Sequence, residues 1–324
     1  MDRKHSIDIL RMISAVAVVI IHIISSPVTN RNFEISAKLI INLNLIHTLM
    51  NWAVPVFFMI TGYCLLKKKD CTYRYCFSHV LKYVCILFTV GLFYALLEEI
   101  FVTNTINFSV FLKSLLNVIS GNLWDHMWYV YSIIGIYLVM PVIHHFFQQR
   151  ENNFIILTIL LFVFNILFPT IEQLLPIGVN IPFGSYLFYV CFGAAIAKIE
   201  INKIFSYIVY LLGLLSSVWI IMTRNSHSFG YTHLTVCLMA MSIFLFFSQL
   251  EVSSNKLMLC ISKCTWGIYL IHPFFINTAI KLLKIDVLSA QPYLRLFALF
   301  VIVFIASFLS TYVLRKIPLI KKLF

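Results

Sequence analysis

The 324-residue chain is 61% hydrophobic and only 11% charged, has a mean hydropathy of +0.95, and carries 24 Lys and Arg against 12 Asp and Glu, a net charge of +12. So low a charged fraction excludes an ordinary soluble domain, in which about a quarter of the residues are charged. The basic excess is dispersed through short segments between apolar runs, so it reads as membrane topology and not as a nucleic-acid footprint.

Apolar runs able to cross about 30 Å of hydrocarbon recur from end to end. We expect an all-α integral membrane protein: one transmembrane domain over residues 1–324, a bundle of about ten helices with both termini cytoplasmic. The spans fall near 8–27, 48–66, 77–98, 124–147, 153–170, 181–197, 204–222, 232–249, 262–284 and 293–314. In that topology most Lys and Arg lie on the inner side, and the outer side keeps chiefly Arg31, Lys38, Lys113 and Arg224, which is the positive-inside pattern. The first run is no cleavable signal peptide, because Asp8 and Arg11 interrupt it. Segments 28–47 and 99–123 read as long outer loops, and Pro169, Pro176, Gly178 and Pro182 as a helix-breaking loop around 171–182. The eight Cys lie in spans or near the inner surface, so no disulfide framework is expected, and their spacing offers no metal site.

In chain order, chemistry first becomes readable in the opening run. Arg11 and His22 are eleven residues apart, about three helical turns and roughly 16 Å, so they share one face. Arg11 is close enough to the inner surface to snorkel, and Asp8 one turn away can pair with it. His22 lies too deep for that, and away from water its neutral form is favoured, the form that a general base or nucleophile needs. An imidazole bonded to a neighbouring helix is the structural alternative.

The second span reads Pro55-Val56-Phe57-Phe58-Met59-Ile60-Thr61-Gly62-Tyr63, where a kink and two small residues admit either another backbone or a ligand chain. Next, Lys67 to Lys69, Arg74, His79 and Lys82 crowd the inner surface, suiting either a phosphorylated cosubstrate or anionic lipid. Glu98 and Glu99 are an adjacent carboxylate pair at the outer end of the third span. The fourth span opens with Trp124-Asp125-His126-Met127-Trp128-Tyr129, an aromatic belt or the mouth of a polar site. His144 and His145 suit a helix C-terminus and read as structural. The ninth span holds Trp266-Gly267-Ile268-Tyr269-Leu270-Ile271-His272-Pro273, with Tyr269 one turn from His272.

Taken together these segments resemble the acyltransferase-3 family of integral membrane acyltransferases. The matching residues are Asp8-Ile9-Leu10-Arg11 with His22, Pro55 to Tyr63, His126-Met127-Trp128-Tyr129 and Gly267 to Pro273, in family order. The resemblance is to the compact type without an extra soluble domain, which O-acetylates surface polysaccharides. It implies a multi-pass protein of a bacterial inner membrane that takes acetyl from acetyl-CoA as cosubstrate, with no permanently bound cofactor. The acceptor would be a hydroxyl of a polysaccharide or lipid-linked saccharide. The family's Arg and His carry over to Arg11 and His22, with Asp8 orienting Arg11. Its donor-associated Arg-x-x-Arg falls on His79-Val80-Leu81-Lys82, where both Arg are replaced and where Arg74, Lys68 and its neighbours can supply charge; Thr61 replaces a Ser. Tyr269, His272, His126, Trp128 and Glu98 are the candidates for the acceptor. A secondary transporter or exporter of lipid-linked glycan is the rival reading, since kinked helices and sparse intramembrane charge suit it too. A serine racemase or sensor module that retains this membrane domain without catalysis is a third.

Overall fold

The computed structural model describes residues 5–29, 35–68, 71–174, 186–196, 202–224, 230–253, 255–318 and 320–324. Every regular element among them is a helix, and they form two compact units: Met1–Lys67 with Asn152–Val313, and Lys68–Glu151 with Leu314–Phe324. The first contains α1 (His5–Thr29), α2 (Ala37–Met50), α3 (Ala53–Leu65), most of α8 (Glu151–Phe162), α9 (Phe168–Leu174), α10 (Leu187–Ala195), α11 (Lys203–Arg224), α12 (Leu234–Ser248), α13 (Lys256–Asn277) and α14 (Pro292–Leu314). The second contains α4 (Tyr73–Ile86), α5 (Leu92–Thr103), α6 (Phe108–Ser120) and α7 (Trp128–Gln149).

Eight helical stretches among the described residues are long and apolar enough to cross a membrane: His5–Thr29, Ala37–Leu65, Tyr73–Thr103, Asp125–Gln149, Glu151–Glu172, Ile204–Met222, Lys256–Leu282 and Pro292–Leu314. They coincide with eight of the ten expected spans. The expected spans at 181–197 and 232–249 fall on α10 and α12, shorter helices of 9 and 15 residues, and the approach to α10 lies outside the described residues. Arg3, Lys4, Arg31, Lys69 and Lys198 of the expected charge pattern also lie outside them.

Two segments expected as outer loops are largely helical. Ser36 caps α2 by accepting from Leu39 N, and Asn107 caps α6 by accepting from Val110 N at 2.9 Å. Gly121 then ends α6 at φ 80°, a left-handed conformation that favours glycine. Val110, Ser114 and Val118, four apart, form the buried stripe of α6, and that period was masked by the exposed apolar residues between them. Pro169 does not break its helix either. It follows a π-turn at Val163–Leu167, whose widened ladder absorbs the missing proline N–H.

Within the first unit, α1 packs on α2, α3, α12 and α13, and α3 packs on α10. An apolar core joins Val19, Ile23 and Ile24 of α1 to Leu43 of α2, Ile268 and Ile276 of α13, and Leu299 and Val303 of α14. Lipid tails are as apolar as these side chains, so close packing and buried hydrogen bonds, more than water exclusion, hold such helices together.

Candidate active site

The start of α1 is fixed on two sides. Asp8 is 2% exposed and accepts from Ser262 Oγ on α13 at 3.0 Å. Arg11 Nη1 lies 3.7 Å from Asp8 Oδ1, while Arg11 Nη2 donates to Cys64 Sγ on α3 at 3.3 Å. The guanidinium therefore stands at the junction of α1, α3 and α13, and its side chain keeps 35% exposure. A carboxylate so deeply buried needs its donors. Ser262→Ala is expected to destabilise the protein by about 1.5–3 kcal/mol, the range for a hydrogen bond to a charged group, seen as a lower melting temperature in detergent.

Further along α1, the His22 ring sits 5.1 Å from the ring of His272, tilted by 51°. His22 is of intermediate exposure as a residue, whereas His272 is fully buried. His272 Nδ1 is 3.0 Å from the carbonyl oxygen of Ile268. A carbonyl only accepts, so Nδ1 carries the proton in the neutral ring and Nε2 is its accepting nitrogen. Trp266, Tyr269 and His272, three apart, form a ladder along α13: Trp266 stacks on Tyr269 at 5.3 Å, and Tyr269 lies 6.2 Å from His272. A π-turn at Thr278–Leu282 follows on the same helix, a deviation frequent at functional sites. His47 on α2 lies within electrostatic range of His22. Sequence reasoning missed it because its segment was read as a loop. Among the described residues no three His, Cys, Asp or Glu are disposed to hold a metal ion.

Thr61 is also in the first unit. Its hydroxyl donates to the Phe57 carbonyl of its own helix at 2.9 Å. The close approach expected at Thr61-Gly62 is made by Gly62 against the backbone of α10 at Val190, and Gly193 of α10 reciprocates against Met59.

The other predicted residues belong to the second unit, in two groups. Around Tyr75, Lys68 Nζ donates to the phenol oxygen at 2.7 Å and lies 4.3 Å from the ring centre. His79 Nδ1 is 3.0 Å from the Tyr75 carbonyl, and its ring stacks on Tyr137 of α7 at 5.1 Å. Arg74 is exposed and lines a cavity of about 270 Å³ with Cys76, Phe77 and Tyr137. Lys82, half-buried two turns beyond it on α4, is within electrostatic range of Arg315. Lys68 and Arg74 thus lie at or near the start of α4, and Lys82 further along it. His144, read as structural, bonds the Lys68 carbonyl through Nε2 at 2.7 Å.

The second group surrounds Tyr94 on α5. Trp124 stacks on Tyr94 at 4.3 Å and donates through Nε1 to Glu98 Oε2 at 2.9 Å, while buried His126 meets the Tyr94 ring edge-on at 5.4 Å. Trp128 packs edge-on against Tyr129 at 6.1 Å. The adjacent Glu99, 7% exposed, pairs with Lys113 Nζ at 2.8 Å and accepts from Asn117 at 3.0 Å. Both partners lie on α6, so this pairing was invisible while α6 was read as a loop.

A family model described as an acyltransferase domain matches residues 4–315, running through both units. The chain belongs to the acyltransferase-3 family. No curated protein and no solved structure was found to match it. The protein is a multi-pass membrane acyltransferase that transfers groups other than amino-acyl groups, which sets aside the transporter and sensor readings. For this acyltransferase, Asp8, Arg11, His22, Tyr269 and His272 belong to one unit with Thr61. Arg74, His79, Lys82, Lys68, His126, Trp128 and Glu98 belong to the other.

Proposed function

We propose that this acyltransferase moves acetyl from acetyl-CoA to a hydroxyl of a surface polysaccharide or its lipid-linked precursor, in a bacterial inner membrane with both termini cytoplasmic. The observation that carries the proposal is the His22 imidazole 5.1 Å from that of His272, in a chain of an acyltransferase family. His22 acts as general base: it takes the proton of the acceptor hydroxyl as that oxygen attacks the thioester carbonyl, the C–S bond breaks, and the proton passes to the departing CoA thiolate. In the covalent variant, His22 nitrogen attacks the thioester first, CoA leaves as the thiol, and the acceptor hydroxyl then displaces the imidazole. Arg11, held by Asp8 and Cys64, offers a fixed cation to the donor's phosphates or its thioester oxygen. The cations around Tyr75 and on α4 (Lys68, Arg74, His79 and Lys82) suit the donor's phosphates on the cytoplasmic side. For the acceptor, Tyr269 is the candidate in the first unit and Trp128, His126 and Glu98 are those in the second, and anionic lipid would neutralise the remaining inner-surface charge.

The test supplies membranes bearing the protein with acetyl-labelled acetyl-CoA and the source cell's own polysaccharide. Label is expected in the polysaccharide, and deletion of the gene should shift the mass of the native polymer by whole acetyl groups. Label that enters no glycan, together with an unchanged polymer mass, would overturn the proposal.

A further inference from the structure

A cleft in the first unit plays no part in the steps above. Its volume is about 610 Å³, within the roughly 300–1,000 Å³ typical of small-ligand sites, and it lies where the start of α2 meets the start of α14. Its walls combine two kinds of surface. One is Tyr293, 50% exposed although its hydroxyl accepts from Asn42 Nδ2 at 2.8 Å. The other is polar: Asn42, Ser289 and Lys38.

The wall opposite α2 is rigidly built. Asp286 Oδ1 accepts from the backbone N–H of Leu288 and Ser289 at 3.0 and 3.2 Å, and Arg295 Nη1 donates to the Asp286 carbonyl at 2.7 Å and to Ser289 Oγ at 3.1 Å. What burial Asp286 has pushes its carboxyl up. The bonds from Ser289 and Leu288, with the Arg295 charge, nevertheless hold it below the usual carboxylate range, so the loop stays tied at neutral pH and loosens only as pH falls through that lowered value. Lys284 and Gln291, which bracket the loop, both stand at φ 52°, a conformation costly for residues other than glycine. The loop therefore holds strained backbone in place beside a cleft.

We propose that this cleft is a saccharide subsite, in which the Tyr293 ring packs against the apolar face of a sugar while the Asn42 amide and Ser289 hydroxyl bond its hydroxyl groups. Sugars present an apolar C–H face and a rim of hydroxyls, and an exposed aromatic face beside an amide and an alcohol complements both. An ordinary interfacial tyrosine sends its hydroxyl to water; here the Asn42 amide holds it, which fixes the ring in place. The cleft shares α2 with His47. Asn42 and His47 lie five residues apart on α2, about 7.5 Å, and the α2 core residue Leu43 packs with Val19 and Ile23 of α1, on either side of His22 in sequence. The assignment rests on the polysaccharide-acceptor reading and adds where one of its sugar units docks.

The test measures binding without requiring turnover. Oligosaccharides cut from the source cell's own surface polysaccharide are presented to the full-length protein in detergent, and contact is read by saturation-transfer NMR. Binding is expected in the wild type and in His22→Ala, weakened about tenfold by Tyr293→Ala or Asn42→Ala, and largely retained in Tyr293→Phe, which keeps the ring. Matched melting curves and elution profiles exclude misfolding of the variants. Equal binding by Tyr293→Ala and wild type overturns the subsite, as does the absence of binding to the wild type. Binding at the cleft without transfer of label leaves the subsite standing and removes only the acetyl-transfer proposal.

Discussion

Replacing His22 with Ala is expected to lower acyl transfer about 100- to 10,000-fold, the usual contribution of a positioned general base or more, with the membrane level of the protein unchanged. His22 is of intermediate exposure, so replacing it disturbs packing less than replacing a fully buried residue. His272 behaves differently. It is fully buried and bonded to Ile268, so His272→Ala combines lost activity with lost stability, whereas His272→Gln retains a polar side chain and separates the two effects. Incubation with acetyl-CoA and no acceptor distinguishes the two chemical routes. A burst of CoA equal to the enzyme present marks an acetylated His22; linear release or none marks a general base. Transfer by His22→Ala within about threefold of wild type would remove His22 from the mechanism.

The second large effect is structural. A methyl group at Gly62 would lie 1.9 Å from the Val190 carbonyl oxygen, and one at Gly193 would lie 2.1 Å from the Met59 carbonyl oxygen. Both obstacles are backbone, so no rotamer change relieves them and α3 must separate from α10. Gly62→Ala and Gly193→Ala should each cost about 1–3 kcal/mol or more, read as a lower melting temperature and reduced recovery from detergent. Gly135 on α7 is the control. Nothing lies within 4 Å of its added carbon, so Gly135→Ala should change stability little. Equal melting of Gly62→Ala and wild type would mean that the α3–α10 contact is looser than its geometry requires.

These two predictions also differ in how far the sequence anticipated them. The Arg11–His22 step needs only the helical period, because both residues lie on one helix and a buried charge or imidazole is costly wherever its helix goes. The membrane class, the positions of eight spans and the cluster of cations at the start of α4 were legible for the same local reasons. Gly62 stood out as a small residue, but whether a ligand or a backbone would use the space depended on Gly193, far along the chain. α2 and α6 were misread because both pair capped, helix-forming segments with the polar residues normally found in loops.

The sequence by itself determined what depends on composition and on spacing within one helix: a membrane-embedded, all-helical chain, the Asp8–Arg11–His22 stripe, and the segments that resemble the acyltransferase-3 family. Only the tertiary structure decided which partners those residues meet. Ser262 reaches Asp8 across 254 positions of sequence, Cys64 meets Arg11, His272 approaches His22, and Asn42 meets Tyr293 across 251. Helical periodicity fixes which residues share a face, but it carries no information about which other helix that face will meet. That choice depends on packing summed over the whole unit, where small residues such as Gly62 and Gly193 determine how closely the helices can approach.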